Sequence, residues 1–214
     1  PHDSVSYPDD LAETLNPSGE LRKHFGLYAN VRPSKSFANV PAVAEDMDLV
    51  VVRENTEGFY SDRSMYQGDG EWMPNEDMAI SVGVFTRQAC EQIAHVAFQL
   101  AQTRRKSVSI VHKANVLKMG MGMFLNTCRE VGKTYPDVEV HDHHIDAMTA
   151  LLVRRPADFD VIVATNMFGD ILSDLTAELS GSLGLGPSIN HSADQAMAQA
   201  AHGAAPDIAG KGIA

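Results

Sequence analysis

At 214 residues the chain is long enough to bury a sizeable core, as one domain or two small ones. Hydrophobic residues make up 44% and charged residues 21%, an ordinary globular balance, and a formal net charge of −11 argues against nucleic acid or an anionic membrane as partner. No apolar run approaches the roughly 20 residues of a membrane-spanning helix. No signal pattern opens the chain, and two cysteines are too few for a disulfide framework, so a reducing cytoplasm is expected.

Residues 1–17 are loop by composition, and the chain stops on GKGIA without a closing element. Both ends look cut, so an internal portion of a longer protein is expected. GELRKHFGL (19–27) predicts a short basic helix or turn that delivers Arg22. YANVR (28–32) predicts a strand ended by Pro33 that delivers Arg32. A single arginine is usually a solvated cation; two at the ends of adjacent elements can clamp a dicarboxylate. DLVVVRE (48–54) is a strand with Arg53 at its C-terminal end, where open α/β sheets place ligands. Tyr60 follows in NTEGFY. A tyrosine taken alone is usually core or interface, but a buried phenol beside a cation and a metal can donate a proton.

Residues 61–75 form a polar excursion, and DMAISVGVF (77–85) alternates as a strand should. Thr86 then caps a helix with Ile93, Ala94, Ala97 and Leu100 as its apolar stripe and His95 as a structural residue. SVSIV (107–111) is a buried strand ending at His112, Lys113, Ala114 and Asn115. Residues 118–133 form an amphipathic helix with Met119, Met121, Met123, Phe124 and Leu125 in the core. A strand opening at 137–140 runs into HDHHID, and Asp146 starts the helix DAMTALLVRR. His141, His143 and His144 with Asp142 and Asp146 raise the question of zinc. Against it, the strand histidines point the same way only in part, and no second ligand cluster follows.

FDVIVAT (159–165), a buried strand, runs straight into NMFGDILSD. Asp170 and Asp174 stack on one helical face, while Ile171, Leu172, Leu175 and Leu179 fall largely on the other. The spacing alone fits two solvated acids near a helix N-terminus. It also fits a hard divalent cation, Mg²⁺ or Mn²⁺, compensating two like charges. Beyond Pro187 the residues are small and polar, and their secondary structure stays open. No G-x-G-x-x-G occurs, which argues against a Rossmann site; GSLGLG has the wrong spacing. Alternating strands and helices predict a mostly parallel α/β sheet.

The string Asn166-x-Phe168-Gly169-Asp170-Ile171-x-Ser173-Asp174, followed by Gly181-Ser182-x-Gly184-Leu185, closely resembles the signature of the isocitrate/isopropylmalate dehydrogenase family. These are decarboxylating 2-hydroxy-acid dehydrogenases for isocitrate, homoisocitrate, 3-isopropylmalate and tartrate or malate. The segments LRKHFGLYANVRP, RENTEGFY, HKANV and HGAAPDIAG resemble its other motifs. The resemblance implies a two-domain fold that is not a Rossmann fold. Residues 1–27 would end a first-domain segment, 28–180 form the dimer-forming second domain with an arm around 61–76, and 181–214 return to the first domain.

By the same resemblance, Arg22, Arg32 and Arg53 bind substrate carboxylates, Tyr60 is the catalytic acid, and Lys113, contributed by the neighbouring subunit, is the base. Asp170 and Asp174, with Asp146 from a neighbouring subunit, hold Mg²⁺ or Mn²⁺. Asn115 lies on the nicotinamide side, and His202, Gly203, Ala204, Ala205, Asp207 and Ile208 form the adenosine loop. Ala204 stands where the family has Ser or Thr. Asp207 would accept from a ribose 2′-hydroxyl and repel a 2′-phosphate, so NAD is expected over NADP. A homodimer or higher homo-oligomer with shared sites is implied. Ser18 and Gly19 replace the leucine pair typical of isopropylmalate enzymes, so a polar substituent, as in isocitrate or homoisocitrate, is favoured. 3-Isopropylmalate and tartrate or D-malate are alternatives. A non-catalytic dimerising remnant and a metal-dependent hydratase or aldolase are readings of other classes.

Overall fold

The computed structural model describes residues 17–203, 208 and 210–212. In chain order the elements are α1 (Pro17–His24), β1 (Ala29–Lys35), β2 (Asp48–Glu54), β3 (Glu71–Asn75), β4 (Met78–Ser81), α2 (Arg87–Gln102) and β5 (Ser107–His112). There follow α3 (Gly120–Gly132), β6 (Glu139–His144), α4 (Ile145–Arg154), β7 (Val161–Ala164), α5 (Asn166–Leu179), β8 (Pro187–His191) and β9 (Ala196–Ala200). Among the described residues, seven strands form one sheet in the order β6-β5-β7-β2-β1-β8-β9.

Strands β6, β5, β7 and β2 run parallel, whereas β1, β8 and β9 are antiparallel additions. The expectation of a mostly parallel sheet therefore holds for half of it. Helices join the parallel strands, as a crossover requires, while the 36–47 loop is short enough to return β2 antiparallel to β1. β2 sits between β7 and β1 with six of its seven residues buried, which explains why DLVVVRE shows no alternation. Val50 and Val52 pack with α2 and α3 on one face; Leu49 and Val51 pack with α4 and α5 on the other. The result is an α/β/α sandwich whose two cores are separated by the sheet.

Local chemistry fixes the element ends that matter for the site. Thr86 caps α2, its hydroxyl accepting from the Ala89 N–H at 3.2 Å. The Glu57 carboxylate accepts from the Thr86 N–H at 2.7 Å and its hydroxyl at 2.9 Å, tying α2 to the loop after β2.

Several expectations are corrected. β1 does not stop at Pro33 but runs to Lys35. β8 pairs only with Ala29 to Val31, so the far side of the strand needs no N–H at the proline. The expected strand over 77–85 is only β4, and it pairs with β3 in a separate two-stranded ribbon. That ribbon has no core of its own: Trp72, Met73 and Met78 are exposed. Met119 is not core; it precedes α3 and is 88% exposed, whereas Met121, Phe124 and Leu125 are buried. The small, polar segment from Pro187, whose secondary structure the sequence leaves open, forms β8 and β9, and the sheet runs unbroken into them. Among the described residues no helix is long and apolar enough to cross a membrane.

Burial pushes the Cys90 thiol up to about 12 and the Cys128 thiol well above its usual value. Thiolate is the reactive form. A disulfide-exchange reagent at mildly alkaline pH is therefore expected to label neither cysteine of the native protein within minutes, and both after denaturation. Rapid native labelling would contradict this packing.

Candidate active site

The parallel strands end on one edge of the sheet, and the register places Arg53, Ala164, Val111 and His143 in one row. The residues just beyond that row therefore share the edge where open α/β sheets hold ligands. Asn166 lies there after β7, Lys113 after β5 and Asp146 after β6.

Over β2 and β1 the first turns of α5 build a compact polar cluster. Arg53, 2% exposed, donates Nε and Nη2 to Asn166 Oδ1 at 2.9 and 2.7 Å. Its Nη1 donates to Asp170 Oδ1. Arg32, 5% exposed, donates Nη1 to Ser173 Oγ at 2.7 Å, Asp170 Oδ1 at 3.0 Å and, more weakly, Asp174 Oδ1 at 3.5 Å. The Tyr60 hydroxyl donates to Asp170 Oδ2 at 2.9 Å, and the Arg53 guanidinium lies 5.5 Å from the Tyr60 ring centre. Arg32 Nε is buried without a hydrogen-bond partner among the described residues.

The loop that carries Tyr60 is tightly held. The Glu54 carboxylate accepts from the N–H groups of Thr56 and Glu57 and from the Thr56 hydroxyl at 2.6–3.0 Å. Asn166 Nδ2 donates to the Glu57 carbonyl at 3.0 Å, so one side chain fixes both Arg53 and this loop. Gly58 adopts φ +83°, and a side chain there would press on Asn166.

Arg22 lies on α1 and donates Nη1 to Asn55 Oδ1 at 3.2 Å, two residues beyond Arg53. Asn55 also donates to the Leu27 carbonyl at 2.8 Å and to Asn190 at 3.1 Å, and Asn190 accepts from Asn30 at 2.8 Å. This buried amide network anchors α1 to β1, β2 and β8.

Lys113 and Asp146 are not brought to the arginine cluster. They pair with each other, Nζ to Oδ1 at 2.6 Å, with Asp146 two-thirds exposed. Asp146 follows β6, three strand spacings or roughly 14 Å from β2. Asn115 is exposed on the turn beyond Lys113. His202 bonds the Gly203 carbonyl through Nδ1 at 2.7 Å, and the Ile208 carbonyl accepts from the Lys211 N–H at 3.1 Å. Ala204, Ala205 and Asp207 lie outside the described residues. An apolar concavity of about 590 Å³, lined in part by Phe59, Phe85, Leu117 and Met119, opens beside the Lys113 turn and holds none of the cluster's residues.

Asn166, Ser173, Asn55, Asn190 and Glu54 hold the cluster together, yet none stands out from spacing alone. The available signal was polarity in the wrong place: Asn30, Asn55, Asn166 and Asn190 are fully buried at the ends or middle of strands and helices.

The donor set suits a hard cation, since two carboxylates share a face of α5 and two oxygens call for more ligands. Among the described residues, no group of three His, Cys, Asp or Glu side chains could hold a metal ion, so a cation on Asp170 and Asp174 would need a further donor from outside them. Burial, then the neighbouring Asp170 charge, hold the Asp174 carboxyl above the usual carboxylate range despite Arg32 and Arg53. A carboxyl raised on folding costs stability once ionised. The cost is absent below its unfolded pKa and grows as pH rises through the folded one. At neutral pH, Asp174→Asn is therefore expected to raise the melting temperature of the cation-free protein by roughly a degree or two. It should also erase the extra stabilisation by Mg²⁺ or Mn²⁺, read by thermal denaturation with and without each ion. An undiminished cation response in the variant would remove Asp174 from the site.

The chain belongs to the isocitrate/isopropylmalate dehydrogenase family, whose model matches residues 4–214. Over 195 residues it is 48% identical to the 3-isopropylmalate dehydrogenase of Archaeoglobus fulgidus, covering 91% of this chain and 57% of that one. It is 49% identical to the isocitrate/homoisocitrate dehydrogenase of Thermus thermophilus, over 91% and 56%. The crystal structure of isocitrate dehydrogenase from Methylococcus capsulatus matches with a TM-score of 0.86 and 46% identity, over 92% of this chain and 58% of that chain. The chain thus spans a little over half the length of these relatives.

Proposed function

We propose that the protein containing this chain oxidises and decarboxylates a malate-type 2-hydroxy acid with NAD and a divalent cation. The observation behind this reading is the convergence of Arg32, Arg53 and Tyr60 on Asp170 at the carboxyl edge of the sheet. Two buried guanidinium groups suit bidentate capture of carboxylates, and Arg22 extends the clamp along the same edge. Substrate carboxylates would compete with Asp170 for Arg32 and Arg53, and Asp170 and Asp174 would instead hold a divalent cation. Mg²⁺ or Mn²⁺, which Asp170 and Asp174 would hold, would supply Lewis-acid polarisation of the C2 oxygen for loss of the β-carboxylate as CO₂, and NAD would supply the hydride acceptor for C2. Lys113 Nζ, acting as the neutral amine, takes the C2 hydroxyl proton and becomes the ammonium, and Tyr60 Oη returns a proton to the carbon that loses CO₂.

The family motif assigns Lys113 and Asp146 to the site of a second copy, and their separation from the arginines of their own chain supports that reading. The exposed β3–β4 ribbon, with Trp72 and Met73 outward, suits an arm that interlocks two copies. The partner is thus another copy of this chain, with no role for nucleic acid or membrane, and the buried thiols suit a reducing cytoplasm. The adenosine loop at 202–208 and the choice of NAD rest on the family motif. The relatives' names divide between isopropylmalate and isocitrate or homoisocitrate, so the polar Ser18–Gly19 segment favours the latter pair.

The test is NADH formation by the full-length protein with isocitrate, homoisocitrate, 3-isopropylmalate, D-malate and tartrate, each with Mg²⁺ or Mn²⁺. Turnover of one acid that vanishes in Asp170→Asn is the expected result. Silence on all five from folded protein would leave a non-catalytic, dimerising chain.

A further inference from the structure

His112, the last residue of β5, is 3% exposed and immediately precedes Lys113. Its Nδ1 accepts the Ala114 N–H at 3.1 Å, and a backbone N–H can only donate. Nδ1 is therefore bare and the ring proton sits on Nε2, which donates to Asp142 Oδ1 at 3.1 Å. Asp142 Oδ2 in turn accepts from Arg129 Nη2 at 2.6 Å. Burial alone would raise the Asp142 carboxyl, but the Arg129 and His112 bonds outweigh it and hold the group below the usual carboxylate range. Asp142 thus stays ionised as a pure acceptor. The His144 ring packs edge-on against His112 at 5.1 Å.

We infer that Arg129 and Asp142 are positioning residues that lock His112 in its Nε2–H tautomer and thereby aim the turn carrying Lys113. This rests on the reading of Lys113 as the base. The bond from Nδ1 to the N–H two residues on is the imidazole counterpart of an Asx-turn. On the other side, the Val116 and Leu117 N–H groups donate to the Lys113 carbonyl at 3.1 and 2.9 Å. The Lys113 backbone is gripped from both directions, and its ammonium emerges against Asp146. The opposite tautomer, or an imidazolium, would set a ring N–H against the Ala114 N–H. A carboxylate facing Nε2 and held by an arginine disfavours the first, because it would meet a lone pair.

The test uses full-length protein and imidazole ¹⁵N spectra, with His112 assigned by its loss in His112→Asn. The wild type is expected to show protonated Nε2 and bare Nδ1, with the Ala114 amide protected from exchange. Asp142→Asn should shift the tautomer and lower kcat by about tenfold or more, with the hydroxy-acid KM within about twofold. His112→Asn keeps an acceptor for the Ala114 N–H and should retain more kcat than His112→Phe, which keeps only bulk. A wild-type proton on Nδ1, or a shifted tautomer with unchanged kcat, would overturn the inference. A wild type that oxidises no hydroxy acid sinks the proposed function instead; Nε2–H and a protected Ala114 amide would then still uphold the lock on the turn.

Discussion

Gly169→Ala is expected to lower kcat/KM by about a hundredfold and to destabilise the protein by about 1–3 kcal/mol. A Cβ built on Gly169 would lie 2.6 Å from Arg53 Cβ, 2.7 Å from its Cγ and 3.1 Å from its Cα. Carbon atoms pack at about 3.5–4.0 Å, so roughly an ångström must be found. The contacted atoms are the root of Arg53 rather than a flexible tip, so either α5 lifts from β2 or the guanidinium leaves Asn166. Helix propensity pulls the other way, favouring alanine by about 1 kcal/mol. Gly122→Ala separates the two effects: its Cβ would meet nothing within 4 Å in α3, so only the propensity gain should appear. Melting curves and steady-state kinetics of both variants decide the matter. Wild-type behaviour in both would mean that the close approach of α5 to β2 has no bearing on the site.

Arg53→Lys is expected to keep the fold but raise the hydroxy-acid KM by roughly ten- to a hundredfold, corresponding to about 1.5–3 kcal/mol for lost charge-assisted hydrogen bonds. Arginine spends Nε and Nη2 on Asn166 and Nη1 on Asp170, a planar fork that a single ammonium cannot reproduce. The charge survives, so a purely electrostatic role would leave KM nearly unchanged. A KM within twofold of wild type would therefore place substrate carboxylates elsewhere, and kinetics across a substrate titration reads the difference directly.

Much of the frame was legible because apolar runs and caps speak locally. β2, β5 and β7 are β-branched runs, Thr86 caps α2, and the 166–174 string runs from strand into helix without an intervening loop. What escaped depends on partners distant in sequence. AMAQA has little strand propensity and becomes β9 because β8 offers it an edge, itself laid on β1. Pro33 is tolerated in β1 because β8 ends short of it. Met119 looked like core by type, yet lies outside α3 at its N-terminal end. In the site, residue roles came from family motifs, whereas the sharing of Asp170 by Arg32, Arg53 and Tyr60 is a product of sheet register and of Gly169. The asparagine network could be suspected from composition but not paired, since each amide has several possible partners.

The most direct test measures NADH and CO₂ together from the full-length protein supplied with NAD, Mn²⁺ or Mg²⁺ and the acid it turns over best. Equal molar amounts of the two products, both abolished in Asp170→Asn that still folds, are the expected result. NADH without CO₂ would make this a simple alcohol dehydrogenase, and undiminished turnover in Asp170→Asn would move the active site away from the arginine–aspartate cluster.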